Sequence, residues 1–433
     1  MKVRTALMFL LIVALALPSA SLWAQDQVEL RILWYNDGIE GDVLRELLDR
    51  FEAENPGIKV TIDVVAYADL HNILQTQLEG GSAAPDMARV TDTARFRDFY
   101  LDLTPYLPDP EYWLNSFPEP VLNSFRKGAD DQGIYGFPTQ FTVTGPFINR
   151  TLFEQAGVDV PSDVMEKPTW EDWVNAAVEV AEITGVPYAI AIDRSGHRVW
   201  GPALSNGATF VNPDGSFTVD SPGFRKTAEM IIDWHKRGIT PLGVWVESGG
   251  EYASARPEFV NGQLVMYMSG SWQIPGFSQD IGDAFDWDAV PNPWGEGGST
   301  GIPGGAVLAA LNTTKHPEEV AKVMDYLASE EILGEFTAKT LFIPGHIGLA
   351  EKGVEYVTDD PNVEQALSVF LAEVPKLSEE AYALQYSPIG FPLNVNIRDR
   401  LSQVIVGELT LDEAIALIQE AVDQAYQEVY GAQ

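Results

Sequence analysis

The stretch Val28-Glu-Leu-Arg-Ile-Leu-Trp34-Tyr-Asn-Asp-Gly38 decides the fold. Apolar residues at 28, 30, 32 and 34 mark a buried strand, and Asn36-Asp37-Gly38 turns the chain out of it. Val43, Leu44, Leu47, Leu48 and Phe51 then recur at the spacing of a helix that packs one face on a sheet, and Pro56-Gly57 stops it. Residues 58–65 read as a second strand, 69–78 as a second helix and 86–90 as a short third strand. Strand alternating with helix in this way predicts right-handed crossovers and a largely parallel sheet. Ligands of such sheets sit beyond the carboxyl ends of the strands, so the loops at 34–37 and 91–92 are candidate cleft walls.

The α/β rhythm continues to the end of the chain. Residues 103–133, rich in Pro, Tyr and Asn, are expected to be irregular with short helices, and 134–138 and 143–149 to be strands on either side of a crossing. Thr169-Trp-Glu-Asp172 is a capping box that opens a helix running to about Thr184. A strand at 187–192, a hairpin turn at Asn212-Pro-Asp-Gly215 and a helix at 224–237 ending at Gly238 follow. Residues 264–268 are a buried strand running into Ser269-Gly-Ser-Trp272, and glycine-rich 295–305 leads to a strand at 306–311. Paired helices at 317–338 and a long amphipathic helix at 411–430 complete the pattern.

Composition removes several chemistries. The 433 residues, 45% of them apolar, suffice for two or three domains with cores of their own. Cysteine is absent, which excludes disulfide scaffolds, thiolate zinc sites, iron–sulfur ligation and cysteine nucleophiles. The formal charge of -36 argues against nucleic acid and anionic membranes, both of which need a cationic surface. Lys2 and Arg4, an apolar run over 6–17 and small residues at 18–21 and 24 form the pattern of a secretory signal peptide, taken as residues 1–24. The run is shorter than the ~20 residues needed to span a bilayer. Its removal leaves 63 acids against 25 bases, a formal -38, and no cysteine for a lipid anchor. A freely diffusing periplasmic protein is expected.

No Walker A lysine, G-x-S-x-G or H-E-x-x-H motif is present, so neither an enzyme nor a cofactor is expected. The histidines at 71, 197, 235, 316 and 346 show no paired helical spacing and read as surface or packing residues, with no metal site. Aromatics remain. Trp34, Tyr35, Trp200, Trp272, Trp294 and Phe391 fall in expected loops or at strand ends, where flat faces suit sugar rings. A core role competes for each of them. Trp272 stands out because Gly270 and Ser271 leave it little local packing, whereas Trp113, Trp170, Trp173 and Trp234 read as structural.

Taken in order, these landmarks resemble the extracellular solute-binding proteins of family 1, the sugar-binding components of ABC importers related to maltose-binding protein. They run from Leu30-Arg-Ile-Leu-Trp34 and Leu47-Leu-Asp-Arg-Phe51-Glu-Ala-Glu-Asn-Pro56-Gly through Ala84-Pro-Asp-Met87 and Gly133-Ile-Tyr-Gly-Phe-Pro138. Pro146-Phe-Ile-Asn149, Pro168-Thr-Trp170, Asn261-Gly-Gln-Leu-Val-Met266, Gly270-Ser-Trp272 and Gly304-Gly305 continue the series up to Tyr326-Leu-Ala-Ser-Glu330. One departure is Ile148-Asn149, where the family usually has Tyr-Asn.

The resemblance implies a two-lobe periplasmic binding protein fold (type II, Venus-flytrap) with crossing hinge strands. Lobe 1 is expected over 25–139 and 288–325, and lobe 2 over 140–287 and 326–433. Carried over position by position, Trp34, Tyr35, Asp37, Thr91, Asp92, Gln140, Thr142, Trp200, Trp272, Gly304, Gly305 and Asn394 are the expected ligand contacts. Trp272 and Trp34 would stack, Asp37 and Asp92 would accept hydroxyls, and the two glycines would allow close backbone approach. Asn394 stands near a stacking position of maltose-type members, which points to a smaller or differently shaped saccharide. A monomer that closes on a saccharide and docks on an ABC permease is implied. A polyamine or other non-sugar ligand, and a secreted glycoside-acting enzyme, are the competing readings.

Overall fold

The computed structural model describes residues 27–80, 84–128, 130–246 and 252–431, so the expected signal peptide at 1–24 lies outside the described residues. In chain order the strands are β1 (Val28–Trp34), β2 (Ile58–Val64), β3 (Met87–Val90), β4 (Gly136–Pro138), β5 (Thr142–Asn149), β6 (Tyr188–Ile192), β7 (Leu264–Gly270), β8 (Trp287–Ala289), β9 (Pro303–Gly304) and β10 (Val307–Ala310). Two sheets result. The first has the order β2-β1-β3-β10-β4; the second has β6-β7-β5-β8, with β9 paired to β5.

The opening stretch folds as its pattern predicts. β1 runs parallel to β2 in the register Val28↔Ile58 through Trp34↔Val64, and parallel to β3 at Ile32↔Met87. Helices Glu40–Glu54 and Tyr67–Gly80 are the two crossovers. The sheet is mixed rather than largely parallel, because β10 arrives from the second half of the chain and lies antiparallel between β3 and β4. β1 sorts its side chains with the two-residue period of a pleat. Leu30, Ile32 and Trp34 join one apolar layer with Val43, Leu47 and Phe51, while Leu33 and Tyr35 join the opposite layer with Leu70, Leu74 and Leu78.

Helices Pro317–Ala328 and Glu330–Thr340 add Val320, Val323, Met324, Leu327, Leu333 and Phe336 to the layer that holds Trp34. Residue 288 falls inside β8 of the second sheet, and residue 325 inside helix Pro317–Ala328. A separate core surrounds the second sheet. Helices Trp170–Thr184, Pro222–Arg237, Pro361–Glu373, Gly390–Ile405 and Leu411–Tyr430 pack there, and Trp170, Trp173 and Trp234 are buried within it. The Thr169–Asp172 capping box is present, and Gly238 ends its helix at φ 68°. The hairpin turn at 212–215 forms: Val211 bridges Phe217 antiparallel, and the N–H groups of Asn212 and Thr218 donate to the Ser216 and Phe210 carbonyls, each at 2.8 Å.

The chain passes between the sheets from β4 to β5 and from β9 to β10. The passages run side by side, with Thr142 paired to Gly304. Gly305 has φ +134°, and a Cβ there would lie 2.3 Å from the carbonyl oxygen of Gln140. The segment at 341–345 lies alongside, the Phe141 N–H donating to the Ile343 carbonyl at 2.9 Å. Among the described residues no helix is long and apolar enough to cross a membrane.

Candidate ligand-binding cleft

A cavity of about 570 Å³ opens where the carboxyl ends of β1 and β3 face the crossings and helix Gly196–Ser205. Its first wall comes from the loops singled out by the strand-end rule. Tyr35 and Asp37 follow β1, Thr91 and Asp92 follow β3, and Gln140 lies on the first crossing; all five line the cavity. Trp34 does not. The pleat turns it into the core at 0% exposure, where its Nε1 donates to Asn36 at 2.9 Å and its ring meets Phe336 edge-on. The expected stacking role of Trp34 has no geometric basis in this arrangement.

Asp37 stands beside Arg89, whose Nη2 lies 3.4 Å from Asp37 Oδ2. Burial pushes the Asp37 carboxyl up to about 6, against the opposing pull of Arg89. Burial raises Asp92 likewise to about 6. Its Oδ1 accepts from the Arg95 N–H at 3.3 Å, while its buried Oδ2 has no hydrogen-bond partner among the described residues. A desolvated acceptor without a partner is costly unless a ligand supplies the donor. Thr91 Oγ1 lies 3.4 Å from both Tyr67 Oη and His71 Nε2.

Thr142, Gly304, Gly305, Trp200, Trp272 and Asn394 line the second wall. The glycines have a structural reason to be glycine. Gly305 makes room for the Gln140 carbonyl and Gly304 for Thr142 Oγ1, so their close approach is between the two crossings. Trp200 is 2% exposed, and its Nε1 has no partner among the described residues. Asn394 Oδ1 accepts from the His197 N–H at 3.0 Å and from Ser195 Oγ at 3.3 Å, which commits it to the start of helix Gly196–Ser205. Trp272 is packed more tightly than expected. Its six-membered ring lies over Gly270, where a Cβ would be 2.0 Å from Cζ3, and the Arg198 guanidinium covers the ring.

Several lining residues escaped the sequence reading. Tyr67 follows the carboxyl end of β2, so the strand-end rule could have found it. It meets Tyr252 from the other wall at 5.6 Å between ring centroids. His71 and His197 line the cavity although they read as surface or packing residues; burial lowers both to about 3, leaving neutral imidazoles. Arg198 and Tyr252 are brought in by tertiary packing around the buried Asp193, which accepts from Tyr252 Oη at 2.6 Å and lies 3.5 Å from Arg198 Nε. Phe391 lines the cavity, whereas Trp294 lies elsewhere, under Lys167 at 4.6 Å. Among the described residues no three His, Asp or Glu side chains gather in a metal-binding arrangement.

Residues 35–332 match the family described as bacterial extracellular solute-binding protein. An arabinooligosaccharide-binding protein of Halalkalibacterium halodurans is 26% identical over 72% of this chain and 70% of its own. A multiple sugar-binding protein of Streptococcus mutans is 23% identical over 73% and 75%. Among solved structures, an ABC transporter solute-binding protein from Thermotoga lettingae bound with α-D-tagatose superposes with a TM-score of 0.75. It is 18% identical and covers 92% of this chain and 100% of its own, a likeness of fold.

Proposed function

Because the chain belongs to the bacterial extracellular solute-binding protein family, we propose that it captures a saccharide between its two sheets and hands it to the permease of an ABC importer. The observation that carries this reading is the cavity itself. Its walls combine aromatic faces at Tyr35, Tyr67, Trp200, Tyr252 and Trp272 with a buried acceptor, Asp92 Oδ2, that has no partner among the described residues. Ring faces and hydroxyl edges are what a saccharide presents. The relatives named for arabino-oligosaccharide and multiple-sugar binding support the same class.

In this reading the two sheets are the cores of two lobes. The first takes residues 27–139 and about 306–352, because helices Pro317–Ala328 and Glu330–Thr340 pack on the first sheet; the second takes the remainder. Ligand that touches both walls favours the closed arrangement, and only its greater affinity for that state can shift the balance. The protein works after export, as a monomer in the periplasm. Asp37, Asp92 and Gln140 bind hydroxyls, and Trp272 with Tyr252 supplies apolar surface.

Thermal-shift screening of arabino-oligosaccharides, lactose, maltose and polyamines tests the reading, since a ligand bound at a hundred times its dissociation constant stabilises by about 2.7 kcal/mol. Stabilisation by a saccharide supports it. A response to polyamines alone would overturn it in favour of a cation-binding site.

A further inference from the structure

Arg89 lies in the middle of β3, between the core residues Met87, Ala88 and Val90, and its side chain is fully buried. A buried cation in an apolar strand needs partners. Its Nη1 donates to Glu40 Oε1 at 2.8 Å and to the Tyr35 carbonyl at 2.5 Å. Its Nη2 donates to Gln140 Oε1 and, at 3.4 Å, to Asp37 Oδ2. One planar fork thereby holds three cavity-lining residues, two from the loop after β1 and one from the crossing. A lysine ammonium lacks that fork.

The partners determine what the cleft offers. Glu40, fully buried, balances the cation, and its two oxygens accept the N–H groups of Asp37 and Gly38, so the loop is held from behind. Arg89 occupies Gln140 Oε1, which turns the amide nitrogen of Gln140 toward Asp37 Oδ2 at 3.4 Å. Both hydrogen bonds to the Asp37 carboxylate fall on Oδ2, which leaves Oδ1 without a partner among the described residues. A donor and an acceptor therefore stand side by side at the cavity wall, the arrangement that neighbouring sugar hydroxyls require.

We propose that Arg89 is a positioning residue of the cleft: it touches no ligand and sets the orientation of the Asp37 carboxylate and the Gln140 amide that receive one. The proposal rests on the saccharide reading above. Asp37 is faced by Arg89 from β3, Glu40 from the first crossover helix, Tyr35 from the loop after β1, Tyr67 from the second crossover helix, Gln140 from the first crossing, and Arg198 from across the cavity. Among the charged groups Arg89 acts on it most strongly and favours its ionised form.

Two variants separate positioning from bracing. Arg89→Lys keeps a cation beside Glu40 and loses the fork. Arg89→Met combined with Glu40→Gln removes both buried charges together, which strands neither. In the ligand-free protein, carboxyl-carbon NMR, with Asp37→Asn assigning the resonance, is expected to place the Asp37 midpoint roughly one pH unit higher in the double variant. The Gln140 side-chain amide resonances are expected to move in both variants. Calorimetry with arabino-oligosaccharide, lactose or maltose, whichever stabilises the unsubstituted protein, is expected to show at least about tenfold weaker binding in both. Arg89→Lys is expected to keep its melting temperature within a few degrees.

An unchanged Asp37 midpoint with unmoved Gln140 resonances overturns the proposal, as does unchanged saccharide affinity in both variants. If the double variant does not fold, the Gln140 resonances and the affinity of Arg89→Lys decide. If the unsubstituted protein binds no saccharide, the reading of function falls, and the NMR measurements still decide the role of Arg89.

Discussion

The guanidinium carbon of Arg198 lies 4.1 Å from the ring centroid of Trp272. The two side chains form one composite wall instead of a bare stacking face, and such a pair contributes about 0.5–2 kcal/mol. Ligand that packs on this wall loses both partners when the ring is removed. Trp272→Ala is expected to weaken saccharide binding at least about tenfold, or 1.4 kcal/mol, by calorimetry, with the fold intact. Unchanged affinity would remove Trp272 from the site.

Trp34 should behave in the opposite sense. It is fully buried among the helices of the first sheet, so Trp34→Ala leaves a cavity and is expected to cost about 3–5 kcal/mol. Urea unfolding reads this as a lower midpoint. A substitution that left stability unchanged would contradict the placement of Trp34 in the core.

The Asp92 carboxyl, raised to about 6 by burial, couples binding to acidity. As pH falls through 6 the acceptor oxygen takes up a proton, so saccharide affinity is expected to drop between pH 7 and pH 5. Asp92→Asn should weaken binding at neutral pH and flatten that profile. The sign for stability is reversed. The folded value lies above the ordinary 3.8, so stability is lost as pH rises from 3.8 to about 6 and the loss persists above it, and Asp92→Asn should raise the melting temperature of the ligand-free protein at pH 7.5. Calorimetry and thermal melts across this range check both signs.

Gly305 has φ +134° and no room for a Cβ against the Gln140 carbonyl. Gly305→Ala is expected to destabilise by at least about 1–3 kcal/mol, the usual cost of such backbone strain, and to weaken binding by displacing Gln140. A variant with native stability in urea would show that the two crossings tolerate separation.

Much of this arrangement is legible in the residues themselves. The first sheet's β1, β2 and β3 with their crossovers follow from strand-length apolar runs and a helical stripe, and the strand-end rule leads directly to Asp37 and Asp92. The mixed character of that sheet is hidden, because β10 joins it across a long separation that no local pattern records. Trp34 and Tyr35 show the limit most plainly. Both are aromatic and adjacent at a strand end, and only the parity of the pleat sends one into the core and the other to the cavity. Arg89 carries a signal that could have been used, since an arginine amid buried strand residues demands partners. Arg198 and Tyr252 carry none: they meet at Asp193, which follows β6 and belongs to neither loop chosen from the pattern.

The insertion of β10 between β3 and β4 has a temporal consequence. Both β3 and β4 keep an unsatisfied edge until Val307–Ala310 arrives, because among the described residues β4 pairs with no other strand. A chain emerging from its amino end can pair β1, β2 and β3, and with them set the loops that bear Asp37 and Asp92, but it cannot join β4 to that sheet before residues 307–310 follow. The topology thus defers completion of the first sheet until about three quarters of the chain has been made, with β4 the last strand to be secured.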